Sequence, residues 1–298
     1  MFLSGFILAI QASLVLSYPV SRPVIRSNSA SVTVLSNDSV NAFHQHALLA
    51  QAAYCSEPQV ALPTIDYILT GGDGGSTPRF FVGHDPASNA IVVAHEGTNS
   101  QDPFSLAIDA QFIRKDLNTT FFPNAPSGIE VHDGFGKTFA LTADLILSTV
   151  QKALSDNNAN TVLVSGHSLG AALATMTSTF LKQNLANTNI STVVFGLPRV
   201  GNQAWADFVD ANLPDLRHMH NKHDPIPTIP PEFLGFVHPS GEVFVQPDAP
   251  NDTVFCPGQE NGNCSDSNDT IDDSLSDHGG PYTGLRMGRS ACPAGSNI

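Results

Sequence analysis

Positive charge is scarce in this chain. Of 298 residues only 13 are lysine or arginine, against 27 aspartates and glutamates, for a formal net charge of −14. Binding a phosphate backbone needs clustered cations, so a nucleic-acid partner is excluded, and anionic lipid surfaces are disfavoured at long range. Long apolar runs are missing as well. The one candidate, Phe2 to Leu16, is interrupted by Ser4, Gly5, Gln11 and Ser13. It is too short for a bilayer, so no transmembrane anchor is expected. No Gly/Ser-rich or Pro-rich linker and no internal repeat divides the remainder, which favours one domain. Four cysteines are present, but the Cys-x-x-Cys pairs of a zinc ribbon or thioredoxin motif are not.

What stands at the N terminus reads as an export signal. An uncharged apolar stretch leads to Val15 and Ser17, at the positions a signal peptidase reads, and then to the polar segment Tyr18 to Pro23. No lysine or arginine precedes the stretch, a departure from the usual pattern. We divide the chain into a signal peptide (1–17), an N-terminal segment that is a candidate propeptide (18–39) and a single domain (40–298). Asn-x-Ser/Thr sequons beginning at Asn37, Asn118, Asn189, Asn251, Asn263 and Asn268 fit a secreted, extracellular protein. That compartment favours disulfides. Cys256 and Cys264 flank a short Gly-rich loop and are the local pair, leaving Cys55 with Cys292. A monomer is expected.

Periodicity suggests alternating elements. Asn37 to Ser39 can cap a helix carrying Val40, Phe43, Ala47, Ala50 and Tyr54 at helical spacing. Arg79 to Gly83 and Ala90 to His95 read as a hairpin, and Phe139, Ala143, Ile146, Val150 and Ala153 as the stripe of a second long helix. Strands are expected at Thr161 to Ser165, Thr192 to Gly196, Leu216 to His220 and Val243 to Val245, with a helix bearing Trp205, Phe208 and Val209. This alternation implies an α/β fold with a mixed, mostly parallel central sheet and helices on both faces.

The most informative residues are Gly166-His167-Ser168-Leu169-Gly170, between a β-branched run and a stretch of small residues. A strand, a Gly-x-Ser-x-Gly turn and a helix form the nucleophile elbow of an α/β-hydrolase. The serine must stand clear of its backbone on a sharp turn, and the flanking glycines relieve the crowding. A helix beginning at Leu169 aims its free N–H groups at a developing oxyanion.

Serine needs a histidine to take its proton, and the histidine needs a carboxylate to orient it. In this fold the order is Ser, acid, His. Asp224 lies just past a strand end and before Pro225. Asp207 and Asp210 sit on a helix, and Asp215 precedes the strand. Of the two later histidines, His278 lies in a loop able to bend back across the site. His238 has apolar flanks and reads as a packed histidine. Thr98, in the turn after the strand ending at His95, is the second oxyanion donor beside Leu169.

Taken together, these segments resemble the class 3 lipases, the filamentous-fungal family of secreted α/β-hydrolases. The matches are Ala52-Ala53-Tyr54-Cys55, Gly97-Thr98, His132-Asp133-Gly134-Phe135, the elbow, Gly196 to Asn202, His223 to Pro227, His238 to Glu242, and His278. They run in order over roughly Val40 to Tyr282. The resemblance implies Ser168 as nucleophile, Asp224 as acid, His278 as base, and Thr98 with Leu169 as oxyanion hole. It also supports a bond from Cys55 to the C-terminal end. One position departs. Many members carry arginine before the Gly-Thr turn, where this chain has Glu96, which cannot make that arginine's contacts to the adjacent lid. Asn99 to Ile108 reads as such a lid, with Asp102 as N-cap and Phe104 and Ile108 on one helix face.

Other chemistries fit less well. His218-x-His220-x-x-His223-Asp224 resembles a metallo-β-lactamase-like ligand run, but Lys222 stands in the aspartate's place. The acidic stretch Asp266 to Asp277 lacks the glycine and closing glutamate of an EF-hand and reads as a solvated loop. No cofactor or metal is expected. A lipid- or glycan-binding protein on a dead scaffold would lack a triad member, and none is missing. The expected function is a secreted serine ester hydrolase, a triacylglycerol lipase acting on an acylglycerol or other lipid ester at a lipid–water interface. The alternative is a feruloyl-type or general carboxylesterase.

Overall fold

A computed structural model of the protein describes residues 30–98, 112–247, 252–267 and 274–296. Its first half runs β1 (Thr33–Val34), α1 (Asn37–Asn41), α2 (His44–Ala52), α3 (Pro58–Ala61), β2 (Asp66–Gly71), β3 (Phe80–Asp85), β4 (Ala90–His95), β5 (Arg114–Asp116) and β6 (Glu130–His132). There follow α4 (Asp133–Ala140), α5 (Ala143–Asp156), β7 (Thr161–His167), α6 (Leu169–Asn184), β8 (Asn189–Phe195), α7 (Gln203–Asn212) and β9 (Arg217–Asn221). The chain then forms β10 (Glu242–Val245), β11 (Thr253–Cys256) and α8 (Leu275–His278).

Nine strands make one sheet in the order β1-β11-β10-β9-β8-β7-β4-β3-β2. The central strands β4, β7, β8, β9 and β10 are parallel, and both edges are antiparallel. Parallel strands are covered on both faces and so need apolar side chains on both. β4 is buried along its whole length, and the last four residues of β7 are buried too. One face carries α4 to α7, with Phe122, Phe139, Ile146 and Trp205 in its core. The other carries α2, which packs on β7 and β8. Helix α6 is buried from Gly170 to Leu181. Its run of small residues lets it lie close against the strands while other helices cover it.

Two helices expected as single elements are each broken. Ser36 caps α1 by accepting the N–H of Ser39, and a new helix starts after Phe43. The second long stripe divides at Leu141–Thr142 into α4 and α5. In both cases the apolar stripe continues across the break, so periodicity alone does not register it. Strand β1 lies in the segment set apart as N-terminal, yet pairs Thr33 with Phe255. The cysteines form Cys55–Cys292 and Cys256–Cys264, with Cα separations of 5.7 and 6.5 Å. Among the described residues no helix is long and apolar enough to cross a membrane.

Candidate active site

The register brings the C-terminal ends of the central strands together. His95 pairs with Gly166, and His167 with Phe195. The chain reverses into α6 at Ser168, which sits at φ 60°, ψ −127°, a conformation that costs a non-glycine residue energy. The turn is tight enough that only glycine fits on either side. A Cβ on Gly166 would lie 2.2 Å from the carbonyl oxygen of Gly170, and one on Gly170 would lie 2.3 Å from that of His95. Helix α6 begins at Leu169, and Ala171 and Ala172 donate the first bonds back to the Ser168 carbonyl. The N–H of Leu169 precedes that first turn and is one of the helix's unpaired donors.

Asp224 and His278 meet although 54 residues separate them. The buried His278 donates its Nδ1–H to Asp224 Oδ2 at 2.9 Å. The other oxygen, Oδ1, accepts the Ile226 N–H at 2.9 Å. With Nδ1 carrying the proton, Nε2 is the basic nitrogen, and it is buried without a hydrogen-bond partner among the described residues. His278 and Asp224 close together on the end of β8. A Cβ on Gly196, the residue after the β8 strand that accepts the Ser168 N–H through Phe195, would lie 2.9 Å from His278 Cε1 and 3.1 Å from Asp224 Oδ2.

Three further side chains hold this arrangement, and sequence reasoning assigned none of them a role. Tyr54 Oη donates to His167 Nδ1 at 2.6 Å, and His167 Nε2–H donates to the backbone oxygen of His278 at 2.7 Å. Tyr282 Oη reaches that same oxygen at 3.1 Å and Asp224 Oδ2 at 3.3 Å. Burial, and secondarily Glu96, raises the Tyr54 hydroxyl pKa, so it stays protonated and donates. Burial and the neighbouring His278 hold His167 well below the usual histidine value, so it is neutral. Burial and then Asp224 likewise keep Tyr282 protonated. The signals for two of them were in the motifs: Tyr54 stands beside Cys55, and His167 inside the elbow.

Thr98, half-buried, follows Gly97 at the end of β4. A Cβ on Gly97 would lie 2.0 Å from Tyr54 Oη and 2.5 Å from the His167 carbonyl oxygen, so this turn rests directly against the elbow. Glu96 has a definite place here. Its carboxylate is buried and bonds to Arg79 and Arg289, in place of any contact of the family arginine. The lid residues Asp102, Phe104 and Ile108 lie outside the described residues.

His238 is elsewhere. It is buried, stacks on His218 with ring centroids 5.2 Å apart, and donates Nε2–H to the Pro227 carbonyl. His218 and His220, the metal-like pair, bond to each other at 3.1 Å, and His220 also meets Glu242 and Ser265. The acidic stretch is not simply solvated. Asp266 pairs with the buried Arg199 at 3.1 Å, because that guanidinium sits among Glu260, Asp266 and two carbonyls. The carboxylates of Glu232, Glu260 and Asp266 gather within 4.8 Å, but Arg199 already occupies two of them as counter-ion.

This arrangement can do acyl-transfer chemistry. A serine hydroxyl sits on a strained turn at a helix N terminus, and the residue before it bonds the backbone of a histidine whose imidazole is oriented by a carboxylate and keeps a free nitrogen. Comparison with known proteins gives the family. Residues 92–234 match the family described as Lipase (class 3). The secreted mono- and diacylglycerol lipase MDL3 of Malassezia globosa is 34% identical over 266 residues, covering 87% of this chain and 86% of that protein. The secreted mono- and diacylglycerol lipase MDL2 of the same organism is 34% identical over 287 residues, covering 92% and 93%. Lipase II from Rhizopus niveus shares the fold with a TM-score of 0.77 and 26% identity, covering 87% of this chain and 99% of that chain.

Proposed function

Because this chain belongs to the class 3 lipase family, we propose that it is a secreted enzyme that hydrolyses acylglycerols through an acyl intermediate on Ser168. The observation that carries the catalytic assignment is the 2.9 Å bond from His278 Nδ1 to Asp224, which leaves Nε2 basic and unpartnered beside the elbow. Ser168 Oγ attacks the ester carbonyl carbon while His278 Nε2 takes its proton. Asp224 stabilises the imidazolium that forms. The negative oxygen of the tetrahedral intermediate is held by the N–H of Leu169 and by Thr98. Collapse breaks the ester C–O bond, and His278 gives its proton to the departing alcohol. Water then attacks the acyl-serine by the same steps and releases the fatty acid.

The relatives named above act on mono- and diacylglycerols, and their secreted character supports the extracellular assignment here. Rates on mono-, di- and triacylglycerols of one chain length, set beside methyl ferulate, test the substrate class. Methyl ferulate as the fastest substrate would move the protein to the feruloyl esterases. Ser168→Ala and His278→Ala are each expected to lower kcat by roughly 10⁴-fold. His238→Ala should keep turnover and lose thermal stability. An active His278→Ala beside a folded but inactive His238→Ala would reverse the assignment of the base.

A further inference from the structure

Glu96 is a fully buried carboxylate two residues before Thr98, with a side chain only 1% exposed. A buried carboxylate persists only if it is paired and hydrogen-bonded. Arg289 supplies Nε–H to Oε1 at 2.9 Å and a second nitrogen at the same distance. Arg79 supplies its backbone N–H to Oε2 at 2.9 Å and its guanidinium to Oε1 at 3.2 Å. The Glu96 N–H in turn donates to the Arg79 carbonyl at 2.7 Å. The β3–β4 ladder pairs Phe80 with His95. The side chain of Glu96 therefore extends that pairing one residue beyond the strand.

Gly97 is boxed between Tyr54 Oη and the His167 carbonyl. The backbone at 97 has little freedom, and the backbone at 96 is clamped. Arg289 belongs to the C-terminal segment that carries Cys292, bonded to Cys55 beside Tyr54. Its other anchor is the Gly74 carbonyl at 2.9 Å. The C-terminal segment thus reaches the turn through Arg289 on Glu96 and through the disulfide to Cys55, the residue after Tyr54.

We propose that Arg289 and Glu96 are positioning residues for the oxyanion hole: the C-terminal segment holds the Glu96–Thr98 turn in the geometry that receives the tetrahedral oxygen. The inference rests on the assignment of Thr98 to that hole. Two effects act in the same direction. Without Arg289 the turn loses one of its clamps. The Glu96 charge also loses a neighbouring cation, and an undercompensated carboxylate close to the oxyanion opposes the charge that develops there. Both raise the barrier without touching the bound ester, so kcat changes and KM does not. Arg79 still bonds Glu96 when Arg289 is shortened, so the variant is expected to fold.

The test uses p-nitrophenyl butyrate, a soluble ester, with kcat expressed per site labelled by a serine-directed phosphonate. Misfolded protein then lowers the number of sites and leaves the rate of each unchanged. Arg289→Ala is expected to lower kcat per labelled site roughly tenfold, with KM within about twofold, and Arg289→Lys should restore most of the loss. If Arg289→Ala yields no labelled sites, Arg289→Gln, which removes the cation and keeps a hydrogen-bond donor, provides the same comparison. A kcat per site within about twofold of wild type, or a loss expressed in KM alone, overturns the proposal. Failure of the proposed serine-hydrolase function looks different: Ser168→Ala would keep its rate on the same ester, and the phosphonate would leave the wild type unlabelled.

Discussion

His167 donates its Nε2–H to the backbone oxygen of His278 at 2.7 Å, so the residue before the proposed nucleophile also holds the proposed base. The two rings lie 4.3 Å apart, centroid to centroid. A second cation beside the His278 imidazolium would oppose the proton transfer, and burial keeps His167 neutral. The His278 carbonyl can only accept, so Nε2 of His167 carries the hydrogen and Tyr54 donates to the Nδ1 that this leaves bare.

Tyr54→Phe keeps the ring and removes that donor. His167 Nδ1 is then buried without a partner, which costs on the order of 1–3 kcal/mol. We expect urea unfolding to show that loss, and kcat to fall several-fold as the His167 ring and the His278 backbone it holds become less fixed. A variant matching wild type in both would show that the contact positions nothing.

Burial of neutral histidines sets an acid limit on stability. Burial lowers His46 and His95 to about 4 and His218 to about 3, and His167 and His238 also lie well below the usual value. In the unfolded chain these groups titrate near 6.5. Below that pH the unfolded state binds more protons, so stability is full above about 6.5 and declines as the pH falls toward about 4. Between pH 6.5 and 5 each such histidine removes about 2 kcal/mol. His95, which meets the Thr177 hydroxyl at 3.0 Å, is the one to replace. His95→Gln should show a shallower fall in unfolding free energy between pH 7.5 and 5. Equal slopes for variant and wild type would exclude His95 as a contributor.

The parts of this molecule written in adjacent residues are legible in the sequence. Gly166 to Gly170 lies between a strand and a helix that both have local signatures, and β7 and β8 announce themselves as apolar runs. β11 and the short β5–β6 pair do not. β11 has four residues, and its partners are β10 and the distant Thr33–Val34. Strand β2 alternates between exposed and half-buried positions at the sheet edge, so it has no run of buried residues to mark it. Contacts between distant residues are harder still. Tyr54 meets His167 across 113 positions and Glu96 meets Arg289 across 193, and no spacing rule links such pairs. From the family resemblance alone an acidic residue before the proposed oxyanion turn looks like a lost contact. Its meaning depends on the two arginines that the fold delivers to it.

Gly97 gives a direct test of how closely the proposed oxyanion turn and the elbow fit. Its substitution by alanine would place a carbon 2.0 Å from Tyr54 Oη and 2.5 Å from the His167 carbonyl. One of those atoms, or the turn itself, must move. We expect Gly97→Ala to lower kcat by about tenfold or more, with a lower thermal midpoint. Tyr54→Phe/Gly97→Ala removes the nearer obstacle and should be less damaged than the two single losses combined. Strict additivity would mean that the hydroxyl does not constrain the turn.

Arg199 offers the last test, of charge burial outside the site. It bonds both oxygens of Glu260 at 2.8 and 2.9 Å, Asp266 at 3.1 Å and the Thr228 carbonyl at 2.7 Å. One guanidinium thus serves several acids. Glu232 nearby is pushed up to about 7, by burial first and by Glu260 and Asp266 next. Arg199→Leu leaves Glu260 buried without its counter-charge, and breaking such a pair costs roughly 3–5 kcal/mol. Arg199→Lys keeps a charge but not the two-pronged contact, so it should fall between leucine and wild type. The two sources of the loss can be separated by urea unfolding of Arg199→Leu/Glu260→Leu. If the uncompensated carboxylate is responsible, the double variant is more stable than Arg199→Leu alone. If lost bonds are responsible, removing Glu260 as well takes away its bond to the His238 N–H and lowers stability further.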